Sequence, residues 1–134
     1  MIILGIDPGL AIVGWGVIES VRGAQRPIAF GAITTPAHTL IESRLAMIES
    51  DLTEIINKYK PDEMAVEELF FNTNITTGIA VAEARGVIIC TAHPCFIVNF
   101  TRGTQAHQVG PAYGANLLRA GIVIKLTRHK IIYA

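Results

Sequence analysis

Two acidic residues are the strongest candidates for chemistry, because each follows a short apolar run that ends in a carboxylate. Asp7 follows residues 2–6 and directly precedes Pro8-Gly9, which is typical of a turn. Glu67 follows the short apolar run 64–66. Carboxylate oxygens are the ligands that magnesium prefers, usually together with water and substrate phosphate. Two such ions about 3.5–4 Å apart can activate a water molecule and stabilise the leaving oxygen of a phosphodiester.

The same residues allow simpler interpretations. Asp7 could cap the following turn through nearby backbone groups, as aspartate often does. Glu68 is a spare acid next to Glu67, but alternation along a strand should turn its side chain the other way. The carboxylate pair is a credible metal site only if Asp7 and Glu67 end neighbouring strands of one sheet.

The first part of the chain predicts an antiparallel meander. Apolar runs separated by turn residues predict strands at Ile2–Asp7, Gly14–Ser20 and Pro27–Thr34, with a tight turn at Arg22–Ala24. The short connections place these strands side by side in sequence order, with Asp7 at the end of the first.

A long amphipathic helix is predicted next. Apolar residues recur at helical spacing from Leu45 to Tyr59, and Lys58, Lys60 and Pro61 close the pattern. Thr39-Leu40-Ile41-Glu42 fits a capping box at the start of the helix.

Further elements would complete a layered domain. Met64–Glu67 is interpreted as a strand that runs parallel to an earlier one, with the long helix as the crossover. Gly78–Thr91 predicts a second helix whose small residues permit close approach of another element or subunit, and Phe96–Phe100 could be a fifth strand. We therefore expect one α/β domain over residues 1–134, with a mixed five-stranded sheet flanked by helices.

Composition limits the function classes. The 134 residues are 51% hydrophobic and 16% charged, which suits one domain with a buried core. No apolar run reaches the roughly 18 residues of a membrane helix, and the start does not resemble a signal peptide, so we expect a cytoplasmic protein without a membrane partner. Residues 1–84 carry all 11 acids and five basic residues, and residues 85–134 carry six basic residues and no acid. This basic tail could bind a polyanion, or be a solvated basic face.

The two cysteines do not predict a metal or redox site. Cys90 and Cys95 are spaced neither like zinc ligands nor like a redox pair. We expect both to be buried thiols that pack as small apolar residues.

Three motifs in order give a more specific indication. They are Leu4–Gly9 with Gly14–Val17, Pro61-Asp62 leading to Ala65–Phe70, and Ala82–Val87. Together they resemble the RuvC family of Holliday-junction resolvases, which have an RNase H-like fold. The resemblance covers about residues 1–92, and residues 93–134 form a divergent tail.

The resemblance implies a homodimeric, magnesium-dependent endonuclease that cuts four-way DNA junctions in recombination and repair, with two Mg²⁺ ions per site. It implies that Asp7 and Glu67 are the first two catalytic, metal-binding carboxylates. Phe70 matches an aromatic residue that lies near the junction and can stack on a base, although core packing is the alternative for this residue. It further implies a dimer interface on the helix at 78–91 and a branch-migration helicase complex as a partner.

The sequence also departs from the family pattern. The family's third and fourth carboxylates lie in a late Asp-rich motif, whereas no acid follows Glu83 here, so we expect an altered or truncated C-terminus. One alternative function is therefore a catalytically dead DNA-binding remnant. Another is an actin-like nucleotide-binding protein, whose first loop also begins with Asp-x-Gly. Leu10–Val13 offers no hydroxyl for a phosphate, and no P-loop lysine follows.

Overall fold

The computed structural model describes residues 1–68, 75–95 and 97–101 and shows an α/β arrangement. The strands form one mixed sheet in the order β3-β2-β1-β4-β5. β1 pairs antiparallel with β2, and β2 with β3, whereas β1–β4 and β4–β5 are parallel. The elements are β1 Ile2–Asp7, β2 Ile12–Val21, β3 Ala24–Thr34, α1 Ile41–Tyr59, β4 Glu63–Glu67, α2 Ile75–Ala92 and β5 Ile97–Thr101.

The main core lies between one face of the sheet and helices α1 and α2. Each helix contributes residues at i, i+4 and i+8, which lie along one side of a helix. The sheet contributes alternate residues of its strands, as expected when one face is buried. Buried members of this core are Leu4, Ile6, Val13, Val17, Ile33, Met64 and Val66 from the strands, Ile48, Leu52 and Ile56 from α1, and Ala84, Ile88 and Ala92 from α2.

The predicted meander is confirmed; β1 has the predicted bounds, and β2 and β3 are longer than expected. β2 and β3 extend to a two-residue turn in which Arg22 and Gly23 both have positive φ, at 49° and 88°. Such turns match the twist of the flanking strands, so pairing continues up to the turn. The second helix likewise begins three residues earlier than predicted, at Ile75, and β5 lies one residue later, at Ile97–Thr101.

The capping-box prediction is wrong. Leu40 is the N-cap of α1, and no side chain caps the helix; the Arg44 N–H donates to the Leu40 carbonyl at 3.1 Å. Because the helix begins one residue later than predicted, Thr39 precedes the cap and Glu42 lies in the first turn without closing a box. The other end matches the prediction: Lys60 adopts a left-handed conformation and its N–H donates to Ile56 O at 2.8 Å.

The expectation of buried thiols is also wrong. Cys90 and Cys95 are both exposed free cysteines. Cys90 lies on the side of α2 away from Ala84, Ile88 and Ala92, so its helical position outweighs the average preference of cysteine for the interior.

Over the described residues, no helix has the length and apolar character needed to cross a membrane.

Candidate active site

The pairing of β1 with β4 brings the two predicted carboxylates together. The parallel register joins Ile3 with Glu63 and continues to Ile6 with Val66. Asp7 and Glu67 are the next residues of the two strands and the last residue of each. Since neighbouring strands lie about 4.8 Å apart, these residues end side by side at one edge of the sheet.

Both carboxylates also belong to the same face of the sheet. Ile6 and Val66 pack in the main core, under the helices. Side chains alternate along a strand, so Asp7 and Glu67 fall on the opposite face. Ile3 and Ala65, which share that second face, form a separate small buried cluster with Ile18.

The turn after β1 fixes where the strand ends. Asp7 precedes a proline, which restricts it to extended conformations, and Pro8 has no N–H with which to continue the ladder. Gly9 allows a close approach that no other residue permits: a Cβ there would overlap the carbonyl oxygen of Ile12. The Pro-Gly pair therefore forms the tight connection that leaves Asp7 at the rim.

Two side chains hold this connection from outside the strands. The Thr35 hydroxyl donates to Leu10 O at 2.6 Å, and the Arg44 Nε donates to the same hydroxyl oxygen at 2.8 Å. The backbone N–H of Thr35 also donates to Ala11 O, at 3.0 Å. Thr35 is buried. Since it bonds both to Leu10 and to Arg44, it links the loop after Asp7 to the start of α1.

The opposite end of the β1–β4 pair is closed by Asp62. Its Oδ2 accepts a hydrogen bond from the Ile2 N–H at 2.6 Å, and its own N–H donates to Ile2 O at 2.8 Å. These two bonds join residues 60 positions apart in the sequence. They lie at the start of the β1–β4 pair, and Asp7 and Glu67 lie at its other end.

Glu67 is buried although it is acidic, with 8% of its surface exposed, whereas Asp7 is half-buried. From α2, the Arg85 Nε donates to the backbone carbonyl of Glu67 at 3.3 Å and so fixes the end of β4. A buried carboxylate requires charge or hydrogen-bond partners, and a divalent cation is one of the partners that can stabilise it.

The donor chemistry of this pair fits a hard cation. Magnesium is commonly bound through one or two carboxylates, with water and substrate phosphate completing its ligands. Asp7 and Glu67 provide two such groups on one face. Across residues 1–68, 75–95 and 97–101, no group of three or more histidine, cysteine or acidic side chains is placed to hold a metal.

The remaining predicted site residue, Phe70, lies outside the described residues, as does most of the basic tail. Sequence patterns gave no role to Thr35, Arg44 or Arg85, which support the two strand ends. Thr35 and Arg85 bond to backbone carbonyls of distant segments and Arg44 bonds to the Thr35 hydroxyl, and local periodicity does not reveal such partners.

A mixed sheet of this order, with a carboxylate at the end of each strand of its central parallel pair, has the RNase H-like fold. Thermus thermophilus RuvC in complex with a Holliday junction substrate has the same fold, with a TM-score of 0.72 at 18% identity over 97% of this chain and 96% of that one. The family model for crossover junction endodeoxyribonuclease RuvC matches residues 3–109. The chain belongs to this RuvC family.

Curated relatives support the same family. The chain is 48% identical over 115 residues to the crossover junction endodeoxyribonuclease RuvC of Heliobacterium modesticaldum, covering 85% of this chain and 71% of that protein. It is 54% identical over 89 residues to the RuvC of Halothermothrix orenii, covering 66% of this chain and 54% of the relative. The chain thus spans about half to seven tenths of the length of these relatives.

The role of Asp62 in setting the register is testable. Asp62→Ala removes the acceptor of the Ile2 N–H and is expected to lower the free energy of unfolding by about 1 kcal/mol, measured by urea denaturation. Asp62→Asn keeps a side-chain oxygen and should lose less. Asp51→Ala, at an exposed position of α1, is the control and should change stability by less than about 0.5 kcal/mol. Equal losses for Asp62→Ala and Asp62→Asn would contradict this role.

Proposed function

We propose that this chain carries the active site of an endonuclease that acts on four-way DNA junctions. The observation that carries the proposal is the placement of Asp7 and Glu67, at the ends of adjacent parallel strands and on the face of the sheet away from the helices. Membership of the RuvC family supplies the substrate class, because a RuvC structure of the same fold is a complex with a Holliday junction. The family match favours neither the actin-like alternative nor a DNA-binding remnant.

In this proposal Asp7 and Glu67 hold divalent magnesium, with two ions in the complete site. When bound, the metal supplies Lewis-acid activation of water and charge stabilisation at the phosphodiester. Asp7 is half-buried and can reach both a cation and solvent, whereas Glu67 is buried and its position is fixed through Arg85. The protein's own contribution is to keep two negative charges adjacent at a rim where DNA phosphate can approach.

The other family features enter as parts of the same proposal. Phe70, just after the carboxylate strand, would stack on a base near the junction, a contact that tolerates any sequence. A branch-migration helicase complex is the expected protein partner, and the cytoplasm is the expected location. The basic residues after position 84 would contribute phosphate contacts that weaken with salt.

Cleavage of a synthetic four-way junction with magnesium tests the site. Asp7→Asn removes one metal ligand and is expected to lower the cleavage rate roughly a thousandfold, because the lost transition-state stabilisation amounts to several kcal/mol. Glu67→Gln should have a similar effect. The matched control is Glu49→Gln, which makes the same acid-to-amide change at an exposed position of α1 and should leave cleavage within a few-fold.

Binding should be measured beside cleavage, in EDTA, on the four-way junction and on a linear duplex of the same sequence. Selective junction binding is expected for the parent chain and for all three variants. Selective binding with no cleavage would leave the chain with the DNA-binding function alone. Cleavage that persists in Asp7→Asn, or no preference for the junction, would contradict the proposal.

We also propose that the chain forms a homodimer through the outer side of α2. Its buried side is filled by Ala84, Ile88 and Ala92, whereas Ile79 is 57% exposed on the other side. Ala82, Gly86 and Cys90 are exposed as well, and a Cβ built at Gly86 meets no atom within 4 Å. Small residues beside an exposed isoleucine allow a second helix to approach closely.

Ile79→Glu tests this interface. A buried charge at the contact should raise the dimer dissociation constant by at least tenfold, measured by analytical ultracentrifugation. Met47→Glu, at an exposed apolar position of α1, is the matched control and should not change the mass in solution. Thiol labelling gives a second readout: Cys90 should react more slowly than Cys95 in the dimer and equally fast in Ile79→Glu. A monomeric parent chain would contradict the interface.

A further inference from the structure

Arg44, in the first turn of α1, lies at the same edge of the sheet as the carboxylate pair. β1 and β4 end at this edge, and Thr35 directly follows the end of β3. The Thr35 N–H donates to Ala11 O in the loop after Asp7, and the Thr35 hydroxyl accepts from Arg44 Nε at 2.8 Å. β2 lies between β1 and β3, so the ends of these two strands are two spacings of about 4.8 Å, or roughly 10 Å, apart along the rim.

The charge of Arg44 is not balanced by any acidic side chain. All 11 acidic residues belong to the part of the chain that the structure describes, and none of them forms an ion pair or a hydrogen bond with Arg44. Arg26 is a useful contrast, because 77% of its side chain is exposed and it still pairs with Glu19 at 2.9 Å. Arg44 is half-buried. A half-buried cation without a carboxylate is a group that an anionic ligand would stabilise.

A chain of hydrogen bonds orients this cation. Arg44 Nε donates to the Thr35 hydroxyl, which in turn donates to Leu10 O at 2.6 Å. Thr35 is buried, so water does not compete freely for these bonds. A guanidinium group has five N–H donors, and over the described residues the four on the Nη atoms of Arg44 have no acceptor.

The remaining donors suit a phosphate. They form a planar fork that matches two phosphate oxygens, and a fork that is already oriented loses less entropy when it binds. Glu42 lies two positions before Arg44 on α1, and residues two apart do not face each other on a helix, so its charge does not oppose an anion there.

We propose that Arg44 binds a phosphate of the junction DNA near the one that the carboxylates hold, and that Thr35 is its positioning residue. This inference takes its substrate from the proposed function. The DNA strand would cross the rim from the face with Asp7 and Glu67 to the start of α1. Phosphates of one strand follow at about 3.4 Å along the helix axis, so roughly 10 Å corresponds to about three phosphates. The contact would position the strand without reading its sequence.

Binding of a synthetic four-way junction in EDTA, over a range of salt concentrations, tests this role without cleavage. Arg44→Gln removes the charge and is expected to weaken binding about tenfold and to reduce the slope of log K against log salt by about one. Arg44→Lys keeps the charge without the fork, so it should keep the parent's slope and bind a few-fold more weakly. Arg22→Gln is the matched control, because it removes the same charge at the β2–β3 turn, at the opposite edge of the sheet, and it should change neither quantity.

The phosphate itself can be located on the DNA. Phosphates near the branch point are replaced one at a time by uncharged methylphosphonates, and one replacement should weaken binding of the parent chain without further effect on Arg44→Gln. Thr35→Val, which removes the hydroxyl, should weaken binding several-fold, whereas Thr35→Ser should bind as the parent does. These variants also provide a test that does not depend on the folding of Arg44→Gln.

Two results would overturn the inference while leaving the proposed function intact. One is a folded Arg44→Gln with the parent's salt slope, which would make Arg44 a support of the loop only. The other is a methylphosphonate series that affects the parent and Arg44→Gln equally at every position. A parent chain that does not prefer the junction to a linear duplex would instead contradict the proposed function, and with it the ligand assigned to Arg44.

Discussion

The structure depends on the parallel register between β1 and β4. β1, with six residues, and β4, with five, are neighbours because α1 forms the crossover between them. At the start of this pair, the Asp62 carboxylate accepts a hydrogen bond from the Ile2 N–H. Side chains alternate along both strands, so a slip of one residue would move Glu67 to the helix side and bury it in the main core. The same register that packs Ile6 beside Val66 therefore places Asp7 beside Glu67.

The strand ends are supported by residues outside the carboxylate pair. Pro8 and Gly9 end β1 abruptly, Thr35 and Arg44 hold the loop that follows, and Arg85 fixes the last carbonyl of β4. Two adjacent carboxylates repel each other. The apolar residues of both strands that are fully buried on the far face stabilise the strand pair against this repulsion. The sheet thus carries α1 and α2 on one face, and on the other face the two carboxylates beside the small buried cluster of Ile3, Ile18 and Ala65.

Much of this arrangement could be predicted from the sequence because it is local. Alternating apolar residues, the Pro-Gly turn and the helical spacing of Leu45–Tyr59 lie within single segments, and they give the order of elements and the position of Asp7. The start of α1 could not be predicted, since Thr39 offers a good cap but the chain begins the helix one residue later. The exposure of Cys90 depends on which side of α2 meets the sheet. Likewise, Thr35 and Arg85 bond to backbone carbonyls of residues 25 and 18 positions away, and Arg44 bonds to the Thr35 hydroxyl.

Crystals of the chain soaked with Mn²⁺, a magnesium substitute with a strong anomalous signal, test the central claim most directly. A difference peak between Asp7 and Glu67, about 2.0–2.3 Å from an oxygen of each carboxylate, is expected at the common end of β1 and β4. Carboxylates directed into separate regions, too far apart for one ion to touch both, would contradict the shared site. The chain would then keep the fold and family of a resolvase without its metal centre.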